Sequence, residues 1–217
     1  MKKIAVIGAT GFVGSKIVKE LSDRGYQVLA IARNTDNIAG QPNIKAVNAD
    51  INDTGQLAEI LKGSDAVISA FNSGWTNPNI YDDFIKGARS IEKAVEQSGV
   101  RRFITIGGAG SLYVADNLQL IDTPNFPAEY KAGAQAARDY LNEIKNNTIL
   151  DWTFFSPAIE MHQGTSGKRK GIYRTALDTP VFDENHRSIL SAEDVAVALV
   201  DEIEQNKHIR QRFTAAY

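Results

Sequence analysis

The chain has 217 residues, 43% of them hydrophobic and 23% charged, so it is long enough to bury a substantial core and has the balance of a globular protein. Its formal net charge of -2 argues against nucleic acid or an anionic membrane surface as a partner. It contains no cysteine, which excludes disulfides, thiolate catalysis and zinc–cysteine sites, and three scattered histidines argue against a histidine metal site.

The first predicted strand leads directly into a glycine-rich turn. The unbroken apolar run Ile4 to Ile7 is typical of a strand buried on both faces of a parallel sheet. Gly8, Gly11 and Gly14 follow at three-residue intervals, and an amphipathic helix is predicted from Phe12 to Arg24. Strand, turn and helix together predict the phosphate-binding corner of a dinucleotide site.

Each glycine of this turn has a separate predicted task. Gly8 allows the sharp turn, Gly11 lets the backbone approach a pyrophosphate, and Gly14 lets the helix pack closely on the sheet. The start of the helix would supply unpaired N–H groups and a positive dipole end. Because the spacing differs from the commonest G-x-G-x-x-G fingerprint, the prediction depends on the strand before it and the helix after it. The residues expected to bind the cofactor here are Gly8, Thr10, Gly11, Phe12 and Val13.

The beginning of the chain imitates a signal peptide, because Met1-Lys2-Lys3 precedes an apolar run. Thr10 and three glycines interrupt that run, and its removal would delete the central strand of the predicted fold. No stretch approaches the roughly 20 apolar residues of a membrane span. We therefore expect a cytoplasmic protein that acts on a small molecule.

Strands and helices alternate along the rest of the chain. Further strands are predicted at Gln27 to Ala32, Ile44 to Asn48, Ala66 to Ala70, Arg102 to Ile106, Trp152 to Phe155 and Arg212 to Ala215. Helices are predicted from Asp53 to Gly63, before Gly99, from Ala128 to Lys145, and from Ser191 through Ile203, with an irregular stretch before Ala128. This α/β alternation predicts a single Rossmann-like domain over residues 1–217, a doubly wound parallel sheet with helices on both faces. Residues 160–190 would form an excursion on the substrate side.

The carboxyl ends of the parallel strands should line one crevice, where ligands bind in such sheets. Besides the glycine turn, the cofactor-binding residues predicted at these ends are Arg33, Asp50, Ile51, Ala70, Phe71, Gly107, Gly108, Pro157, Ala158 and Ile159.

The end of the second strand bears on which dinucleotide is bound. An NAD site usually has an acidic residue there, whereas this chain has Arg33, whose guanidinium matches a 2′-phosphate. NADP(H) is therefore favoured over NAD(H), although Asp36 could still serve a ribose and Arg33 could be a solvated surface residue. Asp50 could accept a hydrogen bond from the adenine amine beside Ile51, or could simply cap a helix.

Four segments resemble the atypical short-chain dehydrogenase/reductase superfamily over essentially the whole chain. These segments are Gly8 to Gly14, Gly107 to Leu112, Asp151 to Thr153, and Ser191 to Ala196. Within that superfamily the chain is most similar to the NAD(P)H-binding NADH-flavin reductase family. The resemblance implies the fold and the nicotinamide cofactor, and FMN or FAD as a possible substrate.

The catalytic pair of the superfamily is broken in this sequence. Its usual Tyr and Lys stand four residues apart on one helix face, but Tyr130 is followed at that distance by Ala134, and Lys131 points about 100° away. Alcohol and sugar dehydrogenation, which need a general acid/base at the carbinol oxygen, are therefore disfavoured. Related flavin and biliverdin reductases have a His where this chain has Ala158. The catalytic candidates are Tyr130 and Ser111, and Ser111 could instead stabilise a turn.

Hydride transfer to a planar ring needs no such pair, because a proton can come from solvent. The sequence therefore predicts an NAD(P)H-dependent reductase of flavins or quinone-like acceptors, active as a monomer or homodimer. Trp75, Tyr81, Tyr113 and Phe126 are possible stacking surfaces, or residues that pack on the domain. Lys168-Arg169-Lys170 could attract a flavin phosphate or form a solvated loop. Two alternatives remain, a non-catalytic NADP(H) sensor similar to NmrA-like regulators, and a sugar or lipid epimerase or isomerase.

Overall fold

The computed structural model describes residues 2–38 and 40–217; Met1, the first residue of the signal-like start, and Ala39 lie outside the described residues. Within those ranges the strands are β1 (Lys3–Ile7), β2 (Gln27–Ala32), β3 (Ile44–Asn48), β4 (Ala66–Ser69), β5 (Arg102–Ile106), β6 (Tyr113–Ala115), β7 (Leu118–Gln119), β8 (Asp151–Ser156), β9 (Arg174–Ala176) and β10 (Gln211–Ala216). The α-helices are α1 (Gly14–Asp23), α2 (Thr54–Leu61), α3 (Ile80–Ser98), α4 (Ala128–Ile144) and α5 (Ala192–Gln205). None of the helices in these ranges has the length and apolar character of a membrane span.

The main sheet confirms the predicted Rossmann-like α/β fold. Its strand order is β3-β2-β1-β4-β5-β8-β10-β9. Its strands pair in parallel, except that β9 pairs antiparallel with β10 at one edge. The sheet is therefore mostly parallel, as predicted, and the one strand that departs from the predicted parallel arrangement is β9 at the edge. Antiparallel edge strands are common on doubly wound sheets.

Helices cover both faces of the sheet, which explains the unbroken apolar run of β1. Ile4 and Val6 lie in the core cluster that packs against α1 and α5. Ala5 and Ile7 lie in the opposite cluster, which packs against α2, α3 and α4. Successive strand side chains point to opposite faces, so burial on both faces requires apolar residues at every position.

Two predicted segments differ from the structure. Helix α1 begins at Gly14 and not at Phe12, because Gly11 donates from its amide to the carbonyl oxygen of Gly8 at 3.0 Å and prolongs the turn. The stretch before α4, predicted as irregular, contains the hairpin β6–β7. Asn117 adopts a φ of 57° at its turn, a conformation that asparagine tolerates.

The segment 160–190 is held against the main sheet at several points. It contains a short 3-10 helix (Gln163–Thr165) as well as β9. Arg169 bonds both carboxylate oxygens of Glu20 in α1, at 2.8 and 2.9 Å, and so is not available to attract a flavin phosphate. The buried carboxylate of Asp194 accepts the amides of Lys170 and Gly171. These contacts give the segment a defined position beside α1 and α5.

The predicted capping box at the start of α5 forms only in part. The hydroxyl oxygen of Ser191 accepts the amide of Asp194 at 3.1 Å, as a helix cap should. The carboxylate of Asp194 accepts amides of the 160–190 segment and the hydroxyl of Tyr217, and the Tyr217 hydroxyl accepts the Ser191 amide. Burial of the carboxylate among these donors explains why it does not turn back to the Ser191 amide.

Candidate functional site

The crevice lies beyond the carboxyl ends of the parallel strands. Strand order reverses between β1 and β4, since the chain runs outward from β1 through β2 to β3 and then returns to place β4 on the other side of β1. Such a switch point is where doubly wound sheets bind dinucleotides. The glycine turn after β1 stands at this point, with the ends of β2 and β3 on one side and those of β4, β5 and β8 on the other.

Backbone contacts explain two of the three glycines in the turn. Gly8 has a φ of 79°, and a Cβ there would lie 2.7 Å from the carbonyl oxygen of Ala70. A Cβ on Gly14 would lie 2.0 Å from the carbonyl oxygen of Gly8. Gly14 therefore packs on the turn itself, closer than a side chain would permit. Gly11 is exposed, and a Cβ there would meet only that Gly8 oxygen, at 3.2 Å.

The start of α1 presents free amides to a groove. The amides of Phe12 and Val13 find no hydrogen-bond acceptor within the described parts of the chain. The groove beside them has a volume of about 370 Å³. It is lined by Thr10, Gly11, Phe12, Ser15, Lys16, Gln163, Ser166, Gly167 and Glu193. Free amides at a helix N-terminus are the usual partners of a phosphate group.

A charged pair that sequence analysis missed borders this groove. Lys16 of α1 contacts Glu193 of α5 at 3.0 Å, and the Gly167 amide donates to the same carboxylate at 2.9 Å. Burial raises the pKa of Glu193, but the Gly167 amide and the Lys16 ammonium outweigh it, so the pKa lies below its ordinary value. Glu193 therefore stays ionised and joins the 160–190 segment to the glycine turn. Nothing in the sequence indicated this contact between α5 and α1.

Arg33 and Asp50 lie near each other at the ends of β2 and β3. Arg33 is exposed, and its guanidinium makes no hydrogen bond or ion pair within residues 2–38 and 40–217. The backbone and side-chain amides of Asn52 lower the pKa of Asp50, with a smaller contribution from the charge of Arg33. Asp53, not Asp50, caps α2 by accepting the amide of Gln56. Asp50 as a helix cap is therefore wrong, while its place beside an adenine stays a prediction.

Three apolar residues follow the carboxyl ends of β3 and β4 in the crevice: Ile51, Ala70 and Phe71. All three are partly buried. Ile51 and Phe71 pack over Gly87 of α3, where a Cβ would approach the Phe71 ring to 2.5 Å. The Phe71 ring also stacks on Phe84. These contacts fix an apolar surface at the end of β4.

The glycine segment after β5 is shaped by packing. A Cβ on Gly107 would collide with the ring of Phe154, at 1.9 Å. Gly108 and Gly110 face α4, where added Cβ atoms would come within 3.5 Å of Ala137 and 2.9 Å of Ala134. The segment therefore lies directly on α4.

At the end of β8, Pro157 and Ala158 are buried whereas Ile159 is exposed. The Ile159 amide donates to the Ser188 hydroxyl at 3.4 Å, and the Glu160 amide donates to the Ser188 carbonyl at 2.8 Å. These bonds hold the backbone after β8 against Ser188, and of the three predicted residues only Ile159 has an exposed side chain.

Tyr130 stands on α4 without a catalytic lysine. Its ring is 47% exposed and meets Trp75 edge to face, with centroids 5.3 Å apart. Trp75 packs over Gly133, one turn along the same helix. Ala134, at the place of the lysine, is buried against Gly110. Packing therefore explains the missing lysine, because a long charged side chain at position 134 would not fit between α4 and the segment around Gly110.

Ser111 lies in a 3-10 helix (Ala109–Ser111) after β5 and is buried. Its carbonyl and hydroxyl oxygens both accept from Nη1 of Arg212, at 2.8 and 3.0 Å. Sequence analysis missed Arg212, although a charged residue within an apolar strand was a signal. Of the other aromatic candidates, Tyr81 donates its hydroxyl to Asp139 and packs on the core, while Tyr113 is 38% exposed.

Residues 8–206 match the family described as NAD(P)H-binding. The chain belongs to this NAD(P)H-binding family. The resemblance stated from the sequence motifs is thereby confirmed at the level of fold and nicotinamide-nucleotide binding.

Full-length relatives share the architecture. YwnB of Bacillus subtilis (strain 168), an uncharacterized protein, is 33% identical over 214 residues, which are 98% of this chain and 97% of YwnB. A solved structure from Bacteroides thetaiotaomicron, described as a candidate epimerase, is 41% identical with a TM-score of 0.91, covering 100% of this chain and 97% of that one. The structure of SP1627 from Streptococcus pneumoniae TIGR4, described as a candidate NADH-flavin reductase, is 34% identical with a TM-score of 0.84, covering 100% and 99%.

Proposed function

We propose that this NAD(P)H-binding protein is a reductase that prefers NADPH and passes hydride to a flavin or another planar acceptor such as a quinone. The observation that carries the proposal is a glycine turn with free amides, which suits a phosphate group, beside a helix without an acid/base pair. The turn offers the free amides of Phe12 and Val13, and Gly11 has no side chain to keep a ligand from the backbone. On α4, Ala134 fills the place of the lysine. SP1627, described as a candidate NADH-flavin reductase, supports this choice of acceptor.

The residues of the crevice fit a nicotinamide dinucleotide. The amides at the start of α1 would bind the pyrophosphate, and Ile51 and Asp50 would hold the adenine. When bound, the reduced nicotinamide supplies a hydride. The nicotinamide ring would lie at the ends of β4 and β5, beside the backbone of Gly107 and Gly108. Trp75 and Tyr130 would offer an aromatic surface to the acceptor, because flat rings stack on exposed aromatic side chains.

Positioning would supply much of the rate. Holding the two rings in contact replaces a bimolecular encounter with a step inside one complex. A reduced flavin or hydroquinone takes its proton from solvent, so no side chain must act as a base. The absence of a lysine at Ala134 is compatible with this chemistry and unfavourable for oxidation of an alcohol.

Arg33 is the residue proposed to favour NADPH. Its exposed guanidinium has no partner in the described chain and could bond a 2′-phosphate bidentately. Arg33→Ser should raise the Kd for NADPH about 10- to 100-fold, corresponding to loss of about 1.5–3 kcal/mol of charged hydrogen bonding, and leave the Kd for NADH unchanged. Titration by nicotinamide fluorescence measures both constants. Arg89→Ser, which removes an exposed arginine paired with Glu143 on α4, is the control.

The acceptor is tested by turnover with purified protein. Saturating NADPH mixed with FMN, riboflavin or a simple quinone should lose its nicotinamide absorbance in proportion to the acceptor reduced. No turnover above background with any of these acceptors would contradict the reductase.

A non-catalytic NADP(H) sensor is the second candidate, and the broken pair favours it too. Tight NADPH binding without turnover, together with a co-purifying protein, would support the sensor. The Bacteroides relative described as a candidate epimerase supports a third candidate, an epimerase or isomerase. That chemistry would need an acid/base pair, and α4 offers Tyr130 with no lysine at Ala134.

A further inference from the structure

Lys16 places a positive charge where the backbone of α1 is already positive. It stands in the first turn of that helix, which contains no acidic residue. The N-terminus of a helix carries the positive end of its dipole, so a lysine there is unfavourable unless an anion lies beside it. The Lys16 ammonium is 3.0 Å from the carboxylate of Glu193, and its side chain is 37% exposed. This carboxylate balances the ammonium but leaves the positive end of the helix without an anion of its own.

The groove at the start of α1 brings this ammonium together with free amides. Lys16 lines the groove along with Gly11 and Phe12, and the amides of Phe12 and Val13 have no acceptor within the described chain. On the opposite wall, the side-chain amide of Gln163 likewise has no hydrogen-bond partner among the described residues. Hydrogen-bond donors therefore face this groove from both of its walls, and one of them is charged.

Glu193 holds the ammonium at the groove without using all of its hydrogens. A lysine ammonium has three hydrogens to donate, and Glu193 is the partner of Lys16 in the part of the chain that the structure describes. The other oxygen of the same carboxylate accepts the Gly167 amide at 2.9 Å, which fixes the carboxylate from the opposite wall. Lys16 can therefore donate to a phosphate oxygen in the groove while its pair with Glu193 stays intact.

We propose that Lys16 is a cofactor-binding residue whose ammonium bonds the pyrophosphate of the dinucleotide, with Glu193 as the positioning residue that holds it at the groove. This inference rests on the proposed function, in which the phosphates lie at the start of α1. The amides of Phe12 and Val13 are neutral donors, whereas a pyrophosphate is an anion. Lys16 supplies the cation that these amides lack, and a hydrogen bond from a charged donor is roughly twice as strong as one from a neutral donor.

Two cations of the crevice then have different tasks. Arg33 follows the end of β2, where the adenosine half of a dinucleotide binds and where NADPH, unlike NADH, carries a phosphate. Lys16 lies beside the glycine turn, where NADPH and NADH carry the same pyrophosphate. Loss of Lys16 should therefore weaken the binding of both cofactors by the same factor, whereas loss of Arg33 should weaken the binding of NADPH alone.

Titration by nicotinamide fluorescence tests the role of Lys16. Lys16→Met should raise the Kd for NADPH and the Kd for NADH about tenfold each, because both lose one charged hydrogen bond. Lys16→Arg, which keeps a cation, should recover part of the affinity. Lys19→Met is the matched control, since it removes an exposed cation from the same helix that pairs with Asp23 and does not line the groove. Both constants should stay within about twofold of wild type in this control.

A double-mutant cycle separates a direct bond to the phosphate from an indirect effect. An indirect effect of Lys16 would pass through Glu193, either by neutralising its charge near the phosphate or by holding the 160–190 segment in place. Glu193→Gln removes that charge and keeps the shape of the side chain. Adding Lys16→Met to Glu193→Gln should still raise both Kd values several-fold if Lys16 bonds the phosphate. If Lys16→Met changes neither constant in this background, the effect passes through Glu193 and the proposal is overturned.

The role of Lys16 and the proposed function fail in different ways. Wild-type protein that binds neither NADPH nor NADH would contradict the proposed function itself. Normal binding by wild type, together with unchanged constants in Lys16→Met, would overturn only the role of Lys16. A higher Kd for NADPH alone would also overturn it, because Lys16 would then meet the 2′-phosphate and not the pyrophosphate.

Discussion

Gly11 and Gly14 occupy one turn but meet different surroundings. A Cβ on Gly14 would lie 2.0 Å from the Gly8 carbonyl oxygen, which belongs to the backbone and cannot move aside as a flexible side chain can. A Cβ on Gly11 would lie 3.2 Å from the same oxygen and otherwise project into open space at the groove. Gly14 is therefore required by the fold, whereas Gly11 is the glycine whose missing side chain would matter to a phosphate.

Alanine at each position tests this division. Gly14→Ala should lower the free energy of unfolding by about 2–3 kcal/mol, because the turn must open to admit the methyl group. Gly11→Ala should change stability much less and raise the Kd for NADPH about tenfold, equivalent to about 1.4 kcal/mol. Urea unfolding and NADPH fluorescence titration measure the two effects. Wild-type affinity in Gly11→Ala would contradict the assignment of this turn to the pyrophosphate.

At the scale of elements, Glu20 connects α1 with the 160–190 segment. Its carboxylate accepts bonds from Arg169 of that segment and from Arg24 of its own helix. The bond from Arg169 is the largest influence that lowers the pKa of Glu20 below its ordinary 4.5; burial opposes it, and Arg24 adds to the lowering. A carboxyl whose pKa is lower in the folded state stabilises the fold above the unfolded-state pKa and loses that contribution as pH falls through the folded-state pKa.

Arg169→Met should therefore make the protein less stable at neutral pH and less sensitive to acid. We expect a loss of about 1 kcal/mol at pH 7. The difference from wild type should shrink as pH falls below about 4.5, because wild-type Glu20 becomes protonated there and the bond is lost in both proteins. Denaturant unfolding across this pH range measures the effect.

Lys168→Met is the matched control, since it removes a neighbouring exposed cation for which no ion pair exists in the described chain. Its stability curve should run parallel to wild type. A constant difference between Arg169→Met and wild type at all pH values would show that the pairing with Glu20 does not hold this segment.

The molecule as a whole shows which features a sequence can reveal. The apolar run of β1 predicted burial on both faces because only a strand covered on both sides requires apolar residues at every position. Gly8 was predictable because its backbone needs a positive φ immediately after a strand. Both signals are local, because each depends only on residues that are neighbours in the sequence.

Features that depend on distant residues could not be predicted in this way. Arg212 and Asp178 are 34 positions apart, and their bond arises only when β9 and β10 pair at the edge of the sheet. Strand β9 is short and polar, so its residues give no alternating apolar pattern. Glu193 likewise gives no sign in the sequence that its carboxylate reaches Lys16 on another helix.

Hydride transfer from NADPH to a planar acceptor on this protein is tested most directly by one anaerobic experiment. Protein loaded with NADPH is mixed with FMN while the nicotinamide and flavin absorbance bands are followed together. We expect both bands to decay with one rate constant and in equal molar amounts, and more slowly when the transferred hydrogen of NADPH is deuterium. Binding of NADPH with no change in the flavin band would contradict the reductase and favour the sensor.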